Sequence, residues 1–216
     1  MKLFIDSADV DEIRTVFSWG LLDGVTTNPT LIAKQNKNPE ELLKQISKVA
    51  DLPVLAEPVS TDYEGIIKES NKLTRISKNI VAKIAMTMEG VRAVSTLSKK
   101  GIKTALTLIF SPAQAILAAK AGADWICPFV GRLDDAGERG LDLVKNIVQI
   151  YKIHNYKTKV LVVSVRNSDH ISFSALYGAD AVSVPFKVIQ QMSQHSLTDA
   201  GIKKFLEDWS KSGETK

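Results

Sequence analysis

Residues 79–110 read NIVAKIAMTMEGVRAVSTLSKKGIKTALTLIF. Two short apolar runs, IVAKIAM (80–86) and KTALTLI (103–109), flank a segment whose apolar residues recur at helical spacing over 89–100, closed by Gly101. The runs are apolar on both faces, as parallel strands covered by helices require. The glycine suits a left-handed helix C-cap. The segment is therefore one strand–helix–strand unit, with a lysine, Lys83, set oddly inside its first strand.

The same unit repeats in both directions. Further strands are predicted at KLFID (2–6), GVTTN (24–28), PVLAEPV (53–59), WICPFV (125–130), KVLVVSV (159–165) and AVSVP (181–185). Helical stripes lie between them at 10–19, with Val10, Ile13, Val16 and Phe17 on one face, and at 40–50, with Leu42, Leu43, Ile46 and Val49. The pattern returns at 62–77, 112–121, 138–153, 168–177 and 186–193, and a last helix is predicted at 198–210. Gly20, Gly122 and Gly178 end helical runs as Gly101 does, and Ser111-Pro112 reads as N-cap plus first helical position. No Pro/Ser/Gly-rich linker interrupts the series. Eight strand–helix units predict an α/β fold, a (β/α)₈ barrel, with residues 1–216 as one domain and 198–216 as a C-terminal helix and tail.

Composition fits this reading. Of 216 residues, 44% are hydrophobic, which supplies a substantial core. The single cysteine, Cys127, excludes an internal disulfide and suits a reducing, cytoplasmic setting. MKLFIDSADVDEIR turns acidic at Asp6, so no secretory leader is expected, and no apolar run approaches the roughly 18 residues of a membrane span. The net charge of +4 comes from lysines scattered on helix faces, which predicts solvated surfaces rather than a nucleic-acid partner. No metal-ligand spacing, P-loop or GxGxxG occurs, so no metal or nucleotide cofactor is indicated.

In such a barrel, active sites form at the C-terminal ends of the strands. Those ends carry Asp6, then Thr26, Thr27 and Asn28, then Glu57, Lys83, Thr107, Cys127 with Arg132 beyond, and Ser164 with Arg166. Alternation puts Val81, Lys83 and Ala85 on one face. Burial disfavours an ammonium and so favours the neutral, nucleophilic amine, whose usual use is Schiff-base formation. The alternatives are a lysine reaching past the strand end to water, or an ion pair with Glu57 or Asp6. Asp6 is spare, because Asp9 and Glu12 have capping-box spacing, and it suits acid/base work. Glu57, in an apolar strand before Pro58, needs a partner or a role. Asn28 is either a ligand or a turn former, with Pro29 starting a helix after it. Arg132 and Arg166, from neighbouring units, could converge on a phosphate or be surface residues. Cys127 reads as a small buried residue, and His154, His170 and His195 are assigned no catalysis.

These residues carry a resemblance. GVTTNPTLIA (24–33) closely resembles the N-terminal signature of the transaldolases, and IVAKIAMTMEG (80–90) resembles their active-site lysine segment. TLIFSPAQA (107–115), CPFVGRLDD (127–135) and SVRN (164–167) are similar to further family segments, in family order. The length points to the compact branch, which holds small transaldolases and fructose 6-phosphate aldolases, class I aldolase-like barrels. The resemblance implies Lys83 as Schiff-base lysine and Asp6 as general acid/base. It implies Glu57 acting through a water that Thr107 helps to hold. It implies Asn28 on a hydroxyl of a dihydroxyacetone unit and Arg132, Ser164 and Arg166 on phosphate, with Thr26, Phe129 and Cys127 in the substrate wall. It also implies sugar phosphate substrates, no cofactor, and a homo-oligomer, a pentamer or decamer. Ala105, Cys127 and Ala85 depart from larger transaldolases, which carry asparagine, serine and proline there. Glu57, Phe129 and Arg166 fit transfer better than aldol cleavage, where glutamine and tyrosine replace the first two.

Overall fold

In the computed structural model, residues 1–49 and 51–212 are described. The chain begins β1 (Lys2–Asp6), α1 (Val10–Ser18), β2 (Gly24–Thr26), α2 (Pro29–Lys34), α3 (Pro39–Val49) and β3 (Val54–Ala56). It continues α4 (Tyr63–Ile76), β4 (Ile80–Ala85), α5 (Met88–Lys99), β5 (Thr104–Ile109), α6 (Pro112–Ala121) and β6 (Trp125–Pro128). It ends α7 (Val130–Asp135), α8 (Gly140–Ile153), β7 (Lys159–Val162), α9 (Ser168–Tyr177), β8 (Ala181–Val184), α10 (Phe186–Gln191) and α11 (Ser196–Ser212). The strands are parallel and pair in chain order, and β8 returns to β1 to close the barrel. This is a (β/α)₈ barrel with an additional C-terminal helix. Among the described residues no helix is long and apolar enough to cross a membrane.

All eight predicted strands form, most of them shorter than their apolar runs. GVTTN keeps only Gly24–Thr26, because Asn28 caps α2 and Pro29 opens it. WICPFV stops at Pro128, and the chain turns into α7, a helix the periodicity did not announce. The helix predicted from 138 begins at Gly140, whose N–H donates to Asp134 Oδ1 at 2.9 Å. Any Cβ at Gly140 would lie 2.3 Å from the Val130 carbonyl oxygen. Gly20, Gly101, Gly122 and Gly178 all adopt the positive φ expected of them. Ser111 and Gln114 form a reciprocal capping box at α6. At α1 the predicted box is modified. Asp9 caps the helix, but its own N–H donates to Ser7 Oγ, and Ser7 donates to Glu12. Phe17, predicted on the apolar face, sits at its rim and is half exposed. Ala50, predicted to end α3, and the tail 213–216 lie outside the described residues.

Two apolar layers separate cleanly. Outward-facing strand residues pack with the helices in one large cluster that includes Ile5, Val25, Ala82, Leu106 and Ile126. Inward-facing residues Phe4, Leu55, Val81, Ala105, Trp125, Cys127, Leu161, Val163 and Ala181 fill the barrel. Phe4 and Trp125 meet at 5.7 Å between ring centroids. Gly24 makes room for this: a Cβ there would lie 2.5 Å from the Phe4 ring. The barrel is a packed plug, and the site rests on it.

Candidate active site

Side chains alternate along a strand, so the residue two beyond each plug residue points inward at the next level. That rule takes Phe4 to Asp6, Gly24 to Thr26, Leu55 to Glu57, Val81 to Lys83, Ala105 to Thr107, Cys127 to Phe129 and Ala181 to Ser183. Above them opens a cavity of about 400 Å³ at the C-terminal mouth, within the range of small-molecule sites. Asp6, Thr26, Asn28, Glu57, Lys83, Phe129, Arg132, Ser164 and Arg166 all line it. Thr107 and Cys127 are buried beside it rather than in its wall. A more open groove of about 470 Å³ around Tyr63, Arg92 and Lys120 lies outside the barrel and has no such constellation.

Lys83 is 4% exposed, and its Nζ lies 2.5 Å from Glu57 Oε1. The ion-pair alternative is thus realised, and the partner is Glu57. The pair explains how both groups tolerate burial, since each offsets the other's desolvation. Glu57 Oε1 is in direct contact with the amine.

Asp6 accepts a hydrogen bond from Thr26 Oγ1 at 3.0 Å, and Thr26 Oγ1 lies 2.5 Å from Ser183 Oγ. Ser183 can therefore donate to Thr26, which donates to Asp6. Burial raises the Asp6 carboxyl above its ordinary value, outweighing the Lys83 charge and the Thr26 hydrogen bond, which lower it. Ser183 was missed in the sequence, although its place two residues after inward Ala181 marks it.

Thr107 is buried, and its Oγ1 has no hydrogen-bond partner among the described residues. It pairs in register with Ala85 on one side and Cys127 on the other. Burial pushes the Cys127 thiol up to about 12, so it stays protonated, as its reading as a small buried residue requires. The next residue, Leu108, has φ of +60°, and the ladder to β6 slips there, from Thr107–Cys127 to Ile109–Pro128. A left-handed leucine is strained backbone. The slip breaks alternation, so Ile109 joins the outer core and Leu108 lines the cavity.

Asn28 Oδ1 accepts from Leu31 N–H at 2.9 Å and caps α2. Its turn-forming role is real, and its Nδ2 amide is the group left to donate into the cavity. On the opposite wall, the Arg132 guanidinium lies 5.0 Å over the Phe129 ring, which in turn packs on Phe110. Arg166 Nη2 pairs with Asp135 Oδ2 at 2.7 Å, a partner the sequence did not suggest. Gly131 lets these segments meet, because a Cβ there would lie 2.2 Å from Ser164 O and 2.7 Å from Arg166 Nε. Among the described residues no three His, Cys, Asp or Glu side chains are grouped as metal ligands.

A buried amine–carboxylate pair, a second carboxyl raised by burial, and two arginines on one barrel mouth can be set beside known proteins. The family model described as Transaldolase/Fructose-6-phosphate aldolase matches residues 3–216. The chain belongs to this family. As a member of the transaldolase/fructose-6-phosphate aldolase family it is an enzyme. It is 53% identical over 212 residues to a probable transaldolase of Caldicellulosiruptor saccharolyticus, covering 98% of each chain. It is 50% identical over 217 residues to a probable transaldolase of Clostridium botulinum, covering 100% of each. Its backbone superposes on a thiamine phosphate pyrophosphorylase from Pyrococcus furiosus with a TM-score of 0.60 at 15% identity, covering 85% of each chain. That likeness concerns the barrel alone.

Proposed function

We propose that the chain is a transaldolase that moves a dihydroxyacetone unit from a ketose phosphate to an aldose phosphate through a Schiff base on Lys83. The donors are sedoheptulose 7-phosphate or fructose 6-phosphate. The acceptors are glyceraldehyde 3-phosphate or erythrose 4-phosphate, as in the non-oxidative pentose phosphate pathway. The observation that carries this reading is the Lys83–Glu57 contact of 2.5 Å, buried in one cavity with Asp6.

The chemistry follows from that contact. Glu57 takes a proton from the Lys83 ammonium, and the neutral amine attacks the ketone carbon of the donor. The oxygen of the adduct takes one proton from the attacking nitrogen and a second from Glu57, leaves as water, and an iminium forms. Thr107 Oγ1 is suited to hold that water. Asp6, as carboxylate, takes the C4 hydroxyl proton; the C3–C4 bond breaks, and its electron pair flows to the iminium nitrogen. An aldehyde leaves, and an enamine stays on Lys83. The acceptor aldehyde is then attacked by the enamine carbon, Asp6 returns its proton to the new hydroxyl, and water releases the product. Asn28 Nδ2 and Thr26 face the dihydroxyacetone part, with Cys127 beneath it. Arg132, Ser164 and Arg166 hold the phosphate.

A second reading, fructose 6-phosphate aldolase, requires water to protonate the enamine and free dihydroxyacetone to leave. Phe129 weighs against it, because its ring is packed between Phe110 and Arg132 and offers no hydroxyl to seat such a water. The curated relatives named probable transaldolase lean the same way. The exposed apolar stripe of α11, with Leu197, Phe205, Leu206 and Trp209 each more than half exposed, suits a homo-oligomer such as a pentamer or decamer. A reducing, cytoplasmic setting suits the buried thiol.

The test is release of glyceraldehyde 3-phosphate from fructose 6-phosphate, with and without erythrose 4-phosphate. Transfer predicts release that stops near one equivalent per site and resumes on adding acceptor, with a borohydride-trapped adduct on Lys83. Continued release without acceptor would establish the aldolase. An unmodified protein mass after borohydride would remove the Schiff base.

A further inference from the structure

The connection from β7 to α9 carries Ser164 and Arg166, and its backbone is held at three points. Gly131 N–H donates to Ser164 O at 3.0 Å. Asn167 caps α9, its Oδ1 accepting the His170 N–H at 3.0 Å. Arg166 N–H donates to His170 Nδ1 at 3.2 Å. His170 is buried, and its other ring nitrogen, Nε2, lies 2.8 Å from Asp134 Oδ2. Because Nδ1 accepts, the neutral ring carries its proton on Nε2 and donates it to Asp134. Asp134 is itself tied down by the Gly140 N–H. Asp135, beside it, takes the Arg166 guanidinium.

Both the main chain and the side chain of Arg166 are thus tied to the last turn of α7, the helix that carries Arg132. We infer that His170 is a positioning residue for phosphate binding, its ring bridging the Arg166 backbone to Asp134 so that the two arginines keep one spacing. The inference rests on the reading of Arg132 and Arg166 as phosphate ligands. A forked contact to phosphate needs its donors held within about 0.5 Å, which a free loop does not provide. The loop has a reason to drift, because Ser164 stands at φ of +62°, a strained conformation that persists only where neighbours enforce it.

The chain contains its own control for this hydrogen bond. At α6, Gln114 occupies the same third helical position as His170 in α9, and its Oε1 accepts from the residue before the cap, Phe110 N–H, at 2.8 Å. A glutamine at 170 can therefore reach the Arg166 N–H, whereas a leucine cannot.

The experiment compares wild type, His170→Leu and His170→Gln with glyceraldehyde 3-phosphate and with unphosphorylated glyceraldehyde as acceptors, at saturating donor. His170→Leu should raise KM for the phosphorylated acceptor about three- to tenfold, one net hydrogen bond's effect, and leave kcat and KM for glyceraldehyde unmoved. His170→Gln should restore most of the loss. Equal changes for both acceptors, or no recovery by glutamine in a variant that melts as wild type does, would overturn the proposal. If His170→Leu does not fold, Asp134→Asn keeps an oxygen for the Gly140 N–H but turns an NH2 toward Nε2, and should give a smaller rise of the same kind; no rise would overturn it. A wild type that does not discriminate between the acceptors would instead show that the phosphate reading fails, and the proposal with it.

Discussion

Replacing Asp6 by asparagine separates the proposed acid/base step from everything else in the site. The variant keeps the side-chain shape and an oxygen for the Thr26 hydroxyl, now at 3.0 Å, but cannot take a proton. General base catalysis contributes about 10²–10⁴-fold, or about 2.7–5.4 kcal/mol of barrier at about 1.36 kcal/mol per decade. Transfer should fall by that factor. Lys83 and Glu57 are untouched, so borohydride should still trap the ketose on Lys83. The wild-type rate should fall on the acid side with a limb above the ordinary carboxylate range, since the base must be ionised and burial raises its value. Stability should move the other way. A carboxyl raised by folding binds its proton more tightly folded than unfolded. Its contribution is therefore fully present below the unfolded value and is lost as pH rises through the folded one. At neutral pH the ionised carboxylate weakens the fold, so the asparagine variant should have the higher Tm, a gap that closes as the pH falls below the ordinary carboxylate value. Thermal melts at neutral and acid pH, single-turnover transfer and trapping together test this. Transfer within tenfold of wild type, or a lower Tm at neutral pH, would refute the reasoning.

Phe129→Tyr should raise acceptor-independent release of dihydroxyacetone, because a hydroxyl then lies where Phe129 now packs on Phe110; no rise would count against the assignment of transfer. Arg166→Ala should raise KM for phosphorylated substrates about ten- to a hundredfold, the worth of one charge-assisted hydrogen bond, and an unchanged KM would take Arg166 off the phosphate. Gly24→Ala should cost about 1–3 kcal/mol in denaturant unfolding, because the new methyl would meet the Phe4 ring at 2.5 Å and the packed plug gives little way.

Much of the barrel was legible because parallel strands, amphipathic helices and glycine caps each leave a local mark. The inward level was legible for the same reason: alternation alone takes Phe4 to Asp6 and Val81 to Lys83. What escaped depends on registers between distant segments. The slip at Leu108 shows only when β5 is laid against β6, and α7 forms where Gly131 can approach Ser164. The pairing of Asp134 with His170 and of Asp135 with Arg166 joins residues more than thirty positions apart, with no spacing to announce it. Asn28 had two readings in the sequence, and its cap to Leu31 realises one of them while leaving the amide free for the other.

The hydroxyl chain from Ser183 through Thr26 to Asp6 crosses the seam where the last strand meets the first. Asp6 is made before Ser183, which follows 177 positions later. Until β8 has been made and zipped to β1, the carboxyl lacks one wall of its pocket, and the burial that raises it is incomplete. On the proposed mechanism, turnover is therefore a report on ring closure. A nascent or C-terminally clipped chain can carry the lysine and both carboxylates and still lack the raised carboxyl that the proposed acid/base step uses.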